Sequence, residues 1–259
     1  MVPSLLSSVS AVVLATALCV VGSPYISPKD LQWIWDNRMK SDMTGHDNWI
    51  IDHIVKNKGS LNYCVRWDSQ TIKLTKETAQ KIEAMLARQY AAWNRWLIGY
   101  NCWPYDEINI NIVDWAARKA SDLEWSDNSL GKIYIGDLDQ DGDHQCPRTA
   151  TGRRTSSGCE GKPFDVSLWP TEEMTGGLGN YNFQQFGIET LLDGIDNEQL
   201  TVAAHEIGHR FGLPDFYEMP QPPNFKPCLM WGLSTDTMKD TDGWMVRRVL
   251  ENKKPNYHF

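Results

Sequence analysis

Apolar side chains recur at Ile82, Met85, Leu86, Tyr90, Trp93 and Trp96, spacings of three and four that predict one long amphipathic helix over residues 75–99. A period of two replaces it further on. Ile108, Ile110 and Ile112 alternate with Asn109 and Asn111, which predicts a strand over 107–115. Residues 61–67, 132–135 and 164–169 read as further strands. Short helices are expected over 27–40, 47–56 and 184–192. A closing helix is expected over 241–252, where Trp244, Val246, Val249 and Leu250 are the apolar positions. Leu200, Val202, Ala203, Ala204 and Ile207 outline one more buried helix, with Asp196 and Gln199 as a capping pair ahead of it. The proline-rich run 219–227 is read as a loop that forms one wall of a cleft. Strands and helices interspersed in this way, without repeats or low-complexity tracts, predict an α+β domain.

Composition narrows the setting. A chain of 259 residues, 41% hydrophobic and 22% charged, can bury one good core shaped as two lobes around a cleft. The apolar run from Val9 to Val21 is too short to span a bilayer, and Val20 and Gly22 satisfy the small-residue rule for cleavage before Ser23. Residues 1–22 are therefore read as a signal peptide and the protein as secreted. Cys64, Cys102, Cys146, Cys159 and Cys228 remain, an odd number in an oxidising compartment. The expected bridges are Cys146 with Cys159, flanking a polar loop, and Cys64 with Cys102, bordering the long helix; Cys228 is then a small buried hydrophobe. A net charge of −8 argues against a nucleic-acid partner or an anionic membrane. Twelve tryptophans would suit carbohydrate binding if a row of them were exposed, but Trp93 and Trp96 follow the helical series and belong to the core.

The candidate chemistry lies on the predicted helix that contains Ile207. His205 and His209 stand four residues apart, one turn apart on the same face, so their imidazoles can converge on one ion. Glu206 is turned about 100° from His205; it flanks the ion and reaches a water as general base. A catalytic zinc takes three protein ligands and keeps a fourth position for water, whose pKa it lowers to about 7. Asp215 is the candidate third ligand. Gly212 can adopt the left-handed conformation that ends a helix, and Pro214 cannot continue one, so the chain turns there.

The run His205-Glu206-Ile207-Gly208-His209-Arg210-Phe211-Gly212-Leu213-Pro214-Asp215 resembles the signature of the metzincin clan of zinc metallopeptidases. The form with an aspartate third ligand is similar to snapalysin-like and secreted fungal neutral zinc peptidases, and the resemblance covers residues 196–232. It implies a zincin-like domain of two lobes with a mixed sheet, a long helix, an active-site helix and a methionine turn beneath the metal. Cys228-Leu229-Met230-Trp231-Gly232 is similar to that turn, which makes Met230 its methionine. The resemblance also implies that 164–169 is an antiparallel edge strand pairing with an extended protein or peptide substrate. Gly232 stands where some members carry a tyrosine. Tyr217 matches a snapalysin tyrosine instead, either stabilising the oxyanion or simply packing. Residues 24–60 match no part of the clan and lack its inhibitory PRCGxP motif. Residues 23–60 are therefore expected to be an accessory segment or propeptide, and 61–259 the catalytic domain.

Asp137, Asp139 and Asp141, with Gly142 at the sixth position, match the opening of an EF-hand loop, although Arg148 replaces its closing glutamate. The loop reads either as a calcium site or as a solvated acidic turn, with His144 at the surface. The leading functional reading is a monomeric, secreted zinc endopeptidase. A secreted carbohydrate-binding protein and a catalytically silent zinc-binding protein are the alternatives.

Overall fold

A computed structural model describes residues 26–147, 164–223, 225–232 and 234–259. The expected signal peptide therefore lies outside the described residues, as does Cys159. Strand β1 (Ser60–Trp67) forms the middle of a six-stranded sheet of order β3-β2-β1-β4-β6-β5. It pairs in parallel with β2 (Asn109–Ala117) on one side and β4 (Val166–Thr171) on the other. Outside these lie β3 (Lys132–Ile135) and β6 (Phe183–Gly187), also parallel, and the short β5 (Gly177–Gly179) closes one edge antiparallel to β6. From Tyr63 to Val65 all of β1 is buried, as parallel strands covered on both faces require.

Two expectations about this sheet are corrected. The segment read as the antiparallel edge strand became β4, an interior parallel strand; the antiparallel edge is β5, which the pattern did not announce. The helix expected over 184–192 begins as β6 and turns helical only in α5 (Ile188–Gly194). Gln184 and Phe186 are buried while Phe183 and Gln185 are half-buried, a period of two that the polar character of the glutamines concealed.

Ahead of the sheet come α1 (Pro28–Ile34), a π turn over Trp35–Met39, α2 (Lys40–Gly45) and α3 (Ile50–Lys56). Their Ile34, Met39, Met43, Ile50, Ile51 and Ile54 sit in the same core as the helices that follow. Asp52 of α3 pairs with Lys253 and accepts from the Tyr257 hydroxyl at the far end of the chain. This segment thus packs as part of the domain. The long helix α4 (Lys76–Asn94) starts at Thr75, whose hydroxyl accepts from Thr78 N. It stops five residues before the expected Gly99, where the main chain tightens into turns with Trp96 N bonded to Trp93 O and Leu97 N to Asn94 O. All twelve tryptophans are buried or half-buried, so they form no exposed row for sugars to stack on.

The disulfide expectations are also corrected: Cys64 is bonded to Cys146, and Cys102 is free and exposed. Alternation along β1 explains why. Tyr63, Val65 and Trp67 point into the main core with α4, whereas Cys64 points to the other face with Ala116, Tyr134 and Cys146. Cys102 follows α4 and lies on the wrong side of the sheet. Such a bridge suggests an oxidising compartment. Among the described residues, no helix is long and apolar enough to cross a membrane.

Candidate metal centre

Helix α6 (Thr201–Arg210) carries His205, Glu206 and His209 and ends where the sequence requires it, at Gly212 with φ of 86°. Its apolar face, Ala203, Ala204 and Ile207, packs toward α4, whose Trp93 Nε1 donates to Ala204 O at 2.9 Å. Glycine at 208 permits this closeness: a Cβ there would stand 2.2 Å from Met230 Sδ and 2.8 Å from the Trp93 ring. The expected cap is not formed. Asp196 pairs with Lys81 at 2.8 Å, Gln199 reaches Asp236 O, and Leu200 N at the head of α6 donates to Gln89 Oε1 of α4.

Both histidines are oriented by backbone carbonyls. His205 Nδ1 lies 2.8 Å from Leu229 O, and His209 Nδ1 lies 2.9 Å from Leu213 O. Each Nδ1 therefore carries the proton, and each Nε2 presents its lone pair inward. The two Nε2 atoms are 3.1 Å apart, and Asp215 Oδ1 stands 3.0 Å from one and 3.4 Å from the other. Asp215 Oδ1 is buried and faces the two ring nitrogens, so three atoms able to ligate converge on one point. The spacing fits a metal. Tetrahedral zinc with ligands at about 2.0–2.1 Å has ligand–ligand edges of about 3.3–3.4 Å.

Among the described residues, His205, Glu206 and His209 form a group able to hold a metal ion. Asp215 lies closer than Glu206, whose Oε2 is 4.0 Å from His209 Nε2, so the tight triangle consists of His205, His209 and Asp215. Glu206 is only 2% exposed, its Oε2 has no partner, and burial pushes its carboxyl up to about 7. The edge strand β5 lies against it. A Cβ at Gly177 would stand 2.0 Å from Glu206 Oε1, and one at Gly179 would stand 2.7 Å from Oε2. The close glycines were a signal in the sequence that pattern reading passed over.

Met230 is fully buried beneath α6, and its carbonyl accepts from Phe216 N at 2.9 Å. Its loop is held by a carboxylate the sequence did not flag. Asp242, in helix α7 (Asp240–Lys253), is fully buried and accepts from Leu229 N, Met230 N and Lys239 N. Burial pushes its carboxyl above the ordinary value. The buried Arg210 donates to Asn180 O and Tyr181 O, so it holds the turn beyond β5 against α6. Tyr217, 56% exposed, donates its hydroxyl to Asp215 Oδ2 at 2.8 Å; desolvation and that carboxylate push it up to about 12. The Tyr217 ring lies against Gly232, where a Cβ would stand 3.4 Å from it. A cleft of about 310 Å3 opens above the triangle, lined by Arg38, Trp49, Leu178, Pro214, Tyr217 and Glu218 among others. A larger groove between α4 and β2, about 680 Å3, contains neither histidine nor cysteine.

The acidic loop is arranged differently. Asp139 Oδ1 accepts from the amides of Asp141 and Asp143, its Oδ2 lies 3.4 Å from Arg66, and Asp143 pairs with Arg118 at 3.2 Å. Asp137 and Asp141 are exposed, and among the described residues no metal-holding group includes these carboxylates. His144, expected at the surface, is fully buried.

No protein-family model matches this chain, and no curated protein matches it.

Proposed function

We propose that the protein is a secreted zinc-dependent endopeptidase of the metzincin type. The observation that carries this reading is the convergence of His205 Nε2, His209 Nε2 and Asp215 Oδ1 within 3.4 Å of one another, with a partnerless carboxylate beside them. These three residues would hold the zinc. Zinc bound there supplies Lewis-acid polarisation of a scissile carbonyl and a water acidic enough to be deprotonated near neutrality.

The chain's own residues do the remainder. Glu206, dry and raised to about 7, is suited to take a proton from the attacking water and pass it to the departing amine nitrogen. Tyr217, whose hydroxyl now donates to Asp215 Oδ2, would turn to donate to the oxygen that develops charge. An extended peptide would pair with the free edge of β5, whose glycines bring backbone amides and carbonyls close to Glu206. Met230 and Asp242 keep the floor under α6 rigid.

Hydrolysis of denatured casein by the purified protein, with and without chelator and beside Glu206→Gln, tests this. Activity should vanish with chelator and return with zinc. The variant should retain zinc and lose a factor of about 10²–10⁴ in rate. Equal hydrolysis by Glu206→Gln sinks the mechanism. Stoichiometric zinc without any hydrolysis would favour the catalytically silent alternative.

A further inference from the structure

The Asp215 carboxylate is met by Tyr217, but its main-chain carbonyl is held by a group from the opposite end of the chain. Arg38 lies in the π turn between α1 and α2. Its Nη2 donates to the Asp215 carbonyl at 2.8 Å, and its Nη1 donates to the carbonyls of Glu218, at 3.0 Å, and Pro220. Its guanidinium carbon also stands 5.5 Å from the centre of the Phe216 ring. A guanidinium offers its N–H groups in a rigid planar fork, so three carbonyls bound to one fork fix the path of residues 215–220. The same segment sends Met43 over the turn before it. A Cβ on Gly212 would stand 1.9 Å from Met43 Sδ. The π turn adds a residue to the helical winding and re-aims the side chains it carries, a device common at functional sites.

We propose that Arg38 is a positioning residue of the metal centre: it presets the 215–220 loop so that Asp215 Oδ1 faces the two histidines before any metal arrives. This inference rests on the metal-centre reading above. It adds that the N-terminal segment belongs to the working site, so it is not a propeptide to be shed. The hydrogen bonds of Arg38 all go to main-chain carbonyls, so its effect on a bound metal passes through the path of the 215–220 loop and hence through Asp215, the metal-facing residue of that loop.

The test uses the whole protein with zinc and with cobalt(II) as probes. Affinity is read by competition with a chromophoric chelator, and geometry by the visible spectrum of the cobalt form. Arg38→Ala should bind metal about 10–100-fold more weakly, with a cobalt spectrum shifted toward that of Asp215→Ala. The double variant Arg38→Ala/Asp215→Ala should bind no more weakly than Asp215→Ala alone, since both changes remove one interaction. Arg38→Lys keeps the charge and stem but not the fork, and should recover only part of the loss. Wild-type affinity and spectrum in Arg38→Ala, or losses that multiply in the double variant, would overturn the role given to Arg38. Should Arg38→Ala not fold by circular dichroism, Arg38→Lys decides, and its identity with the wild type overturns the proposal. A wild-type protein that binds no zinc would bring down the metal centre itself; zinc binding unaffected by Arg38 brings down only this inference.

Discussion

Asp215 and the two histidines end within 3.4 Å of one another, yet they are held by different means. The histidines stand on one helix, and each ring is fixed by a single carbonyl, from Leu229 or Leu213. Helix geometry alone brings them together. Asp215 stands on a turn with no regular structure, and its position comes from Gly212, from Met43 above it and from an arginine 177 residues earlier. A helix half of a site is robust because its spacing is built into every turn. A loop half needs outside support, and that support is where the site can be taken apart.

The largest predicted effect strikes the helix half through its floor. Asp242→Ala leaves the amides of Leu229, Met230 and Lys239 without their acceptor, at a cost of about 3 kcal/mol or more. Differential scanning calorimetry should record a fall in melting temperature of roughly 10 °C for a chain of this size. An unchanged melting temperature would mean that the loop beneath His205 stands without Asp242. Next comes Gly212→Ala, aimed at the loop half. The left-handed conformation costs about 1–2 kcal/mol with a Cβ, and the displaced Met43 adds overpacking of about 1–3 kcal/mol. Metal binding should weaken along with stability. If Gly212→Ala binds zinc as the wild type does, the loop half is more self-sufficient than its contacts suggest.

The smallest effect lies outside both halves and separates them from the rest of the domain. His144 is fully buried, neither ring nitrogen is hydrogen-bonded, and burial, against the opposing charge of Asp68 at 3.9 Å, holds its pKa below the ordinary 6.5. The unfolded chain therefore takes up this proton first, and stability should decline as the pH falls below about 6.5. Glu172 forms a second step. Burial opposes its ionisation, but the hydroxyls of Ser69 and Thr71 and the amides of Gln70 and Thr71 hold it at about 2 against an unfolded value of 4.5. Its contribution is present above pH 4.5 and is lost as the pH falls toward 2. Glu206 and Asp242, raised by burial, act in the opposite sense over the upper window. The His144 step is therefore read as the difference in melting temperature between the wild type and His144→Gln, which should change below about pH 6.5 while the Glu172 step stays the same. A profile that His144→Gln leaves untouched would remove His144 from the account.

What could be read in the sequence follows the same division. Strong periodicity found β1, α4 and α7, and the four-residue spacing found the two histidines, because each depends on neighbours within a turn or two. Gly212 was legible because only a few residues tolerate its backbone angle. The path of Asp215 was traced only as far as that turn allowed. Arg38, Gln89 and Asp242 were invisible: an arginine on a half-buried helix, a glutamine in a helix and an aspartate near a helix start look ordinary until the fold brings a distant backbone to them. The sheet shows the same limit. Hydrophobic Phe164–Trp169 was placed at the edge and lies inside, while Gly177–Gly179, with almost no side chain to read, forms the edge beside Glu206. The bridge from Cys64 crosses 82 residues to Cys146, so no rule based on nearby spacing could choose it over Cys102.

The long reach of Arg38 sets an order of events in the making of the protein. Synthesis at about 5–20 residues per second delivers the arginine roughly 10–35 s before the last of the carbonyls it binds, which lie 177–182 positions later. Throughout that interval the nascent chain has the donor and lacks the loop. A complete three-atom cradle therefore exists only when almost all of the chain has been made.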